Sequence, residues 1–217
     1  MIIAEIGQNW CGDRLLAQDL IAEARECGCG LAKFQLYDSL KIYGSKQEHE
    51  LGIEDARFMF DYGELLGIEV FFSVFDIERV KWCEEIGVKR YKIATTRKDR
   101  QVRKAIEATG KPVIESTDRR WIIDSGSDWQ YLYCVPKYPA ELSDMELSKI
   151  NFKIFSGLSD HTVGIEAAMI ALSRGARIIE KHFRVDYNPP NPDYGHSITP
   201  PEMKQLVEFS KKVEIAL

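Results

Sequence analysis

Eight short β-rich runs, nearly every one followed by a helical run, constrain this chain more than any other feature of its sequence. The first is IIAEI (2–6), followed by LLAQDLIAEAREC, in which Leu16, Leu20, Ile21 and Ala24 share one helical face. LAKFQL (31–36) precedes a polar segment through Glu50 and a helical run around 54–66. EVFFSVF (69–75) leads to a helix near 76–86, and KRYKIA (89–94) to one near 98–109 that closes at Gly110. PVIES (112–116), WQYLYCV (129–135), FKIFSG (152–157) and ARIIEKHF (176–183) complete the set. Further helices are expected near 141–149, at 163–174 ending in Gly175, and from 200 onward. Hairpin signals are almost absent, so the alternation predicts parallel βαβ units. Eight of them in 217 residues predict a single-domain α/β (β/α)8 TIM barrel spanning 1–217. An open doubly wound sheet should carry a glycine-rich phosphate turn after its first strand, and IGQNWCGD matches that poorly.

In such a barrel, chemistry sits at the carboxyl ends of the strands. Those ends offer Glu5 and then Asn9, Lys33 and Gln35, Ser73, Lys92 and Thr95, Glu115 and Ser116, then Ser159, Asp160 and His161, and finally Glu180 and His182. Alternation along LAKFQL and KRYKIA sets Lys33, Gln35, Arg90 and Lys92 opposite the apolar residues that should meet the helices. Both lysines are therefore expected inside the barrel. A buried ammonium needs an anion or several acceptors. Two readings follow: with Ser73, Thr95, Ser116 and Ser159 the lysines cradle phosphate and carboxylate, or they form structural ion pairs with Glu5 and Glu180. His161 and His182, at neighbouring strand mouths, either hold one divalent metal together or are packing residues. His49 and His196 fall in loops and carry little weight by themselves.

Composition narrows the partners. A net charge of −5 argues against a nucleic-acid surface, and no run approaches the ~20 apolar residues of a membrane span. The opening MIIAEIG is already strand-like and leaves no room for a leader peptide. Cys11, Cys27, Cys29, Cys83 and Cys134 are odd in number and lack CxxC spacing, which suits a reducing, cytoplasmic setting.

Taken together, AEIGQNWCGD resembles the AEIGxNHxGD opening of the N-acetylneuraminate (sialic acid) synthase family. AKFQ, YKIA, KPVIEST, GLSDHTVGIEAA and GARIIEKHF are similar to that family's motifs in the same order, and NPDYGHS to its GPDHxxS segment. The resemblance covers nearly the whole chain and implies a barrel that condenses phosphoenolpyruvate with an aldehyde sugar, such as N-acetylmannosamine, to give a nonulosonic acid. It implies a divalent metal, Mn²⁺ first and Mg²⁺ or Co²⁺ as alternatives, on His161 and His182. It also implies that Lys33, Gln35, Ser73, Lys92, Thr95, Ser116 and Ser159 line the substrate site, with Glu5 near the metal and the attacking water. Asp193 would contact the sugar, and Asp160 would orient its neighbours.

Departures from the pattern are equally specific. Arg97 stands where the family carries an acid/base glutamate, and an arginine is no base at neutral pH. Glu115, one strand further on, is the candidate to replace that carboxylate; an ion pair of Glu115 with Arg97 is the alternative. Trp10 replaces the histidine of NHxG, SVFD replaces TPFD, Asp118 and Arg119 replace glycine and methionine, and Pro136 follows the sixth strand. The family's C-terminal antifreeze-like domain is expected to be absent, so any homodimer would use the barrel's own helices or loops. The lids are expected at 38–52 and 184–198. Two alternatives to a condensing enzyme remain: an inactive barrel acting as a binding or scaffold protein, and a lyase using Lys92 or Lys33 as a Schiff base.

Overall fold

The computed structural model describes residues 1–96, 99–119 and 129–216. Eight parallel strands close into a barrel in chain order: β1 (Ile2–Glu5), β2 (Leu31–Leu36), β3 (Glu69–Val74), β4 (Tyr91–Ile93), β5 (Val113–Thr117), β6 (Gln130–Cys134), β7 (Gly157–Asp160) and β8 (Ile178–His182). β8 returns to β1 with Glu5 opposite His182. The helices are α1 (Arg14–Glu26), α2 (Ser39–Tyr43), α3 (Ile53–Leu66), α4 (Ile77–Ile86), α5 (Arg100–Glu107), α6 (Glu166–Ser173) and α7 (Pro200–Ala216). Local chemistry starts them: Asp13, Asp76 and Asp99 each turn a carboxylate onto the first free amides of α1, α4 and α5.

Strand parity divides the core in two. Ile3, Leu31, Phe71, Ile114, Leu132 and Ile178 fill the lower barrel interior, while the larger apolar cluster lies between strands and helices. Residues two further along each strand on the inner face reach the carboxyl mouth. β7 approaches β8 so closely that a Cβ at Gly157 would overlap the carbonyl of Ile178.

Two expectations change. FKIF at 152–155 is a turn rather than a strand: the amides of Ile154 and Phe155 both donate to the Asn151 carbonyl. Phe152 and Phe155 are buried from that turn, so their apolarity reflects packing and the strand begins at Gly157. The helix expected near 141–149 is two 3-10 turns, Leu142–Met145 and Leu147–Lys149. A capping box between Glu141 and Asp144 opens the first, and a left-handed Glu146 separates the two. The segment between β2 and α3 carries the short α2, and Trp10 is buried beneath it, its indole N–H donating to the His49 carbonyl at 3.0 Å. Among the described residues, no helix is long and apolar enough to cross a membrane. All five cysteines are unpaired.

Candidate active site at the barrel mouth

Lys33 and Lys92 both point into the barrel and are almost wholly buried. Lys33 Nζ lies 2.6 Å from Glu5 Oε2 and 3.1 Å from Glu180 Oε2, and donates to Ser73 Oγ at 3.0 Å. Lys92 Nζ donates to Ser116 Oγ at 2.7 Å and stands 3.4 Å from Glu180 Oε1. Ser159 donates to the same Glu180 oxygen at 2.7 Å, and Gln35 donates to Glu5 Oε1 at 2.9 Å. Thus the inward orientation and the ion pairs coexist, two ammonium groups interleaved with two carboxylates.

Their electrostatics differ. Burial opposes charge on Lys33, but Glu180 and Glu5 outweigh it and hold the ammonium above the ordinary lysine range. Burial dominates at Lys92 and lowers it, with Glu180 compensating in part and Lys33 adding repulsion. Burial alone would raise the Glu180 carboxyl; Lys33 and Lys92 instead keep it well below the usual carboxylate range.

Above the lysines stand three imidazoles. The ring centroids of His161 and His182 are 5.6 Å apart, and His196 lies 4.4 Å from His182. His161 Nδ1 is 2.9 Å from the Val135 carbonyl, which fixes the proton on that nitrogen and leaves Nε2 with a free lone pair. Burial lowers the His161 pKa to about 3, so the ring is neutral. Burial likewise lowers His196 to about 4, whereas at His182 Asp193 overcomes burial and raises it. Burial opposes charge on Asp193, yet His182 and the Gln8 amide take it down to about 2. Gly7 has φ +51°, and a Cβ there would collide with both Asp193 and Glu5. That position lets the end of β1 close under Asp193.

Two linked hollows result. The deeper one is lined by Lys33, Ser73, Lys92, Thr95, Ser116 and Ser159, with Glu5, Gln35, Glu180, His161 and His182 also reaching it. An outer one adds Gln8, Tyr37, Tyr43 and Asp193 to Gln35, Phe75 and His182. Glu115 does not join them. It sits on the outer face of β5, next in parity to the inward Ser116, and forms an ion pair with Arg103 of α5. Arg103 in turn lies 4.2 Å over the Trp129 ring. The assignment of Glu115 as a catalytic carboxylate is therefore corrected by strand parity; Arg97, its other suggested partner, lies outside the described residues.

Asp160 also faces outward, accepting from the Thr162 amide and hydroxyl and pairing with Lys181 at 3.2 Å, both side chains fully buried. Its influence on His161 runs through the backbone. Sequence reasoning missed Tyr138, whose ring centroid is 4.1 Å from that of His161, and discounted His196. The signal for His196 was its spacing of three residues from Asp193 in a short turn.

The arrangement defines a (β/α)8 protein whose polar chemistry is gathered at the carboxyl mouth. The model of the NeuB family matches residues 41–217, and the chain belongs to that family. An N,N'-diacetyllegionaminic acid synthase of Legionella pneumophila is 32% identical over 258 residues, covering 100% of this chain and 72% of that protein. The human N-acetylneuraminate-9-phosphate synthase is 29% identical over 255 residues, covering 100% of this chain and 70% of that protein. Among solved structures, an N-acetylneuraminic acid synthetase of Leptospira borgpetersenii in complex with citrate superimposes with a TM-score of 0.87. It is 29% identical and covers 99% of this chain and 84% of its own.

Proposed function

We propose that the protein condenses phosphoenolpyruvate with an aldehyde sugar related to N-acetylmannosamine, forming a nonulosonic acid and releasing phosphate. The observation that carries this reading is the juxtaposition of Lys33, Lys92, Ser73, Ser116 and Ser159 in one buried hollow beneath His161 and His182. A trianionic donor needs fixed cations and hydroxyl donors, and those groups supply them without reorganising the backbone. The lysines hold the phosphate and carboxylate of phosphoenolpyruvate, with Thr95 lining the same hollow. The outer hollow, with Gln35, Tyr37, Tyr43 and Asp193, takes the sugar.

The mouth suits a divalent cation such as Mn²⁺, because the buried Nδ1 of His182 and Nε2 of His196 have no hydrogen-bond partner among the described residues. His161 and His182 would hold the ion, which when bound acts as a Lewis acid on the aldehyde oxygen. C3 of the enol phosphate then forms the new bond to the aldehyde carbon, water adds at C2, and the C–O bond to phosphate breaks. Glu5, which accepts from Gln35, takes the proton of that water and passes it on to the sugar oxygen that was the aldehyde, while Lys33 and Lys92 stay with the departing phosphate. A cytoplasmic setting agrees with five unpaired thiols.

The test is incubation with phosphoenolpyruvate, Mn²⁺ and a panel of aldehyde sugars. Phosphate release that requires both sugar and metal supports the reading. Metal binding without release across a broad panel overturns it in favour of a binding or scaffold role.

A further inference from the structure

Residues Tyr194–His196 form a single 3-10 turn after Asp193. In that helix the side chains at i and i+3 eclipse, so Asp193 and His196 project to the same side. Both project toward His182 across the barrel mouth. His182 Nδ1 is 3.4 Å from Asp193 Oδ2, and His196 Nε2 is 3.9 Å from Asp193 Oδ1. One donor atom from each of the three side chains falls within a span of 4.8 Å. Ligand atoms about 2.1 Å from a shared ion sit roughly 3.0–3.4 Å from one another, so small side-chain rotations close the set. All three side chains are buried, and His182 Nδ1 and His196 Nε2 lack hydrogen-bond partners among the described residues. A buried ring nitrogen with no partner costs about 1–3 kcal/mol unless something occupies it.

Resting on the metal-assisted reading above, we propose that His196 and Asp193 are further ligands of the divalent cation held by His161 and His182, adding one imidazole and one carboxylate to that pair. Such a set suits Mn²⁺, Co²⁺ or Zn²⁺ and leaves positions open for an oxygen ligand. Asp193 would then act on the cation rather than on the sugar alone. The 3-10 turn becomes the piece of backbone that delivers two ligands at once.

The experiment is calorimetric titration of Mn²⁺ into the substrate-free chain, with pulsed EPR counting the imidazole nitrogens coupled to the bound ion. His196→Ala and Asp193→Ala should each weaken binding more than about 100-fold, beyond what loss of a merely orienting neighbour produces. His196→Ala should also lower the nitrogen count by one. His49→Ala, outside the cluster, should bind as the wild type does. Thermal melts of the metal-free variants check folding, and a variant that melts early is replaced by His196→Gln, which keeps the bulk of the ring. Wild-type affinity and nitrogen count in His196→Ala overturn the inference while leaving a metal on the other histidines. Absence of binding by the wild type removes both the cation and this ligand set, whatever the phosphate-release assay shows.

Discussion

Lys33 and Glu5 meet at 2.6 Å with both side chains nearly excluded from solvent. Breaking a buried pair by deleting one partner leaves an uncompensated charge, so Lys33→Ala should cost about 3–5 kcal/mol in chemical denaturation. Lys92→Ala should cost less, because Glu180 keeps Lys33 as a partner at 3.1 Å. Equal losses for the two variants would show that Glu180, not Glu5, dominates the network.

Glu115→Gln separates the outer face of β5 from the inner one. Its carboxylate is bonded to Arg103 of α5, whose side chain is 33% exposed. The expected result is a stability loss on the order of 1–2 kcal/mol, discounted for that exposure, with sugar-dependent phosphate release retained. Loss of turnover in a variant that folds normally would return Glu115 to the chemistry.

The barrel was legible because eight apolar runs separated by helical ones leave few other architectures. Lys33 and Lys92 were legible for the same reason, since period-two alternation assigns a face without knowledge of neighbours. On β5 the same rule puts Ser116 inside and therefore Glu115 outside; the family glutamate displaced by Arg97 points to a nearby carboxylate but carries no information about which face it occupies. FKIF misled because its phenylalanines are buried from a turn, and burial from a turn carries no periodic signature. His196 was hidden in a Pro-rich loop, where the side-chain direction depends on a 3-10 turn that composition does not announce.

Glu50 offers a pH test. Burial opposes its charge, but Lys46 and both the hydroxyl and amide of Ser39 hold its carboxyl below the ordinary range, and Arg79 stands 3.8 Å away. A depressed folded pKa gives stability that is full above the unfolded value, near 4.3, and lost as pH falls through the folded one. Glu50→Gln should therefore be about 1–3 kcal/mol less stable than wild type at pH 7. The gap should shrink below pH 4.5 in parallel denaturation curves. A gap that stays constant down to pH 3 would show that the carboxylate's charge is not what ties α2 to α4.

Gly157→Ala tests the closest approach in the barrel. The added methyl would meet the Ile178 backbone, which has no rotamer with which to retreat. A loss of about 4 kcal/mol or more, or failure to yield folded protein, is expected. A melting temperature within a few degrees of wild type would mean that β7 and β8 can part without cost.

Asp160 immediately precedes His161, and Lys181 immediately precedes His182. Their salt bridge on the outer surface of the wall therefore works like a rivet driven from behind, clamping two adjacent staves one peptide short of their working tips. The 5.6 Å between the imidazoles in front is thus braced from a side that the hollow does not reach. Slackening that rivet would let the two rings drift apart while leaving every group in the chamber chemically unaltered.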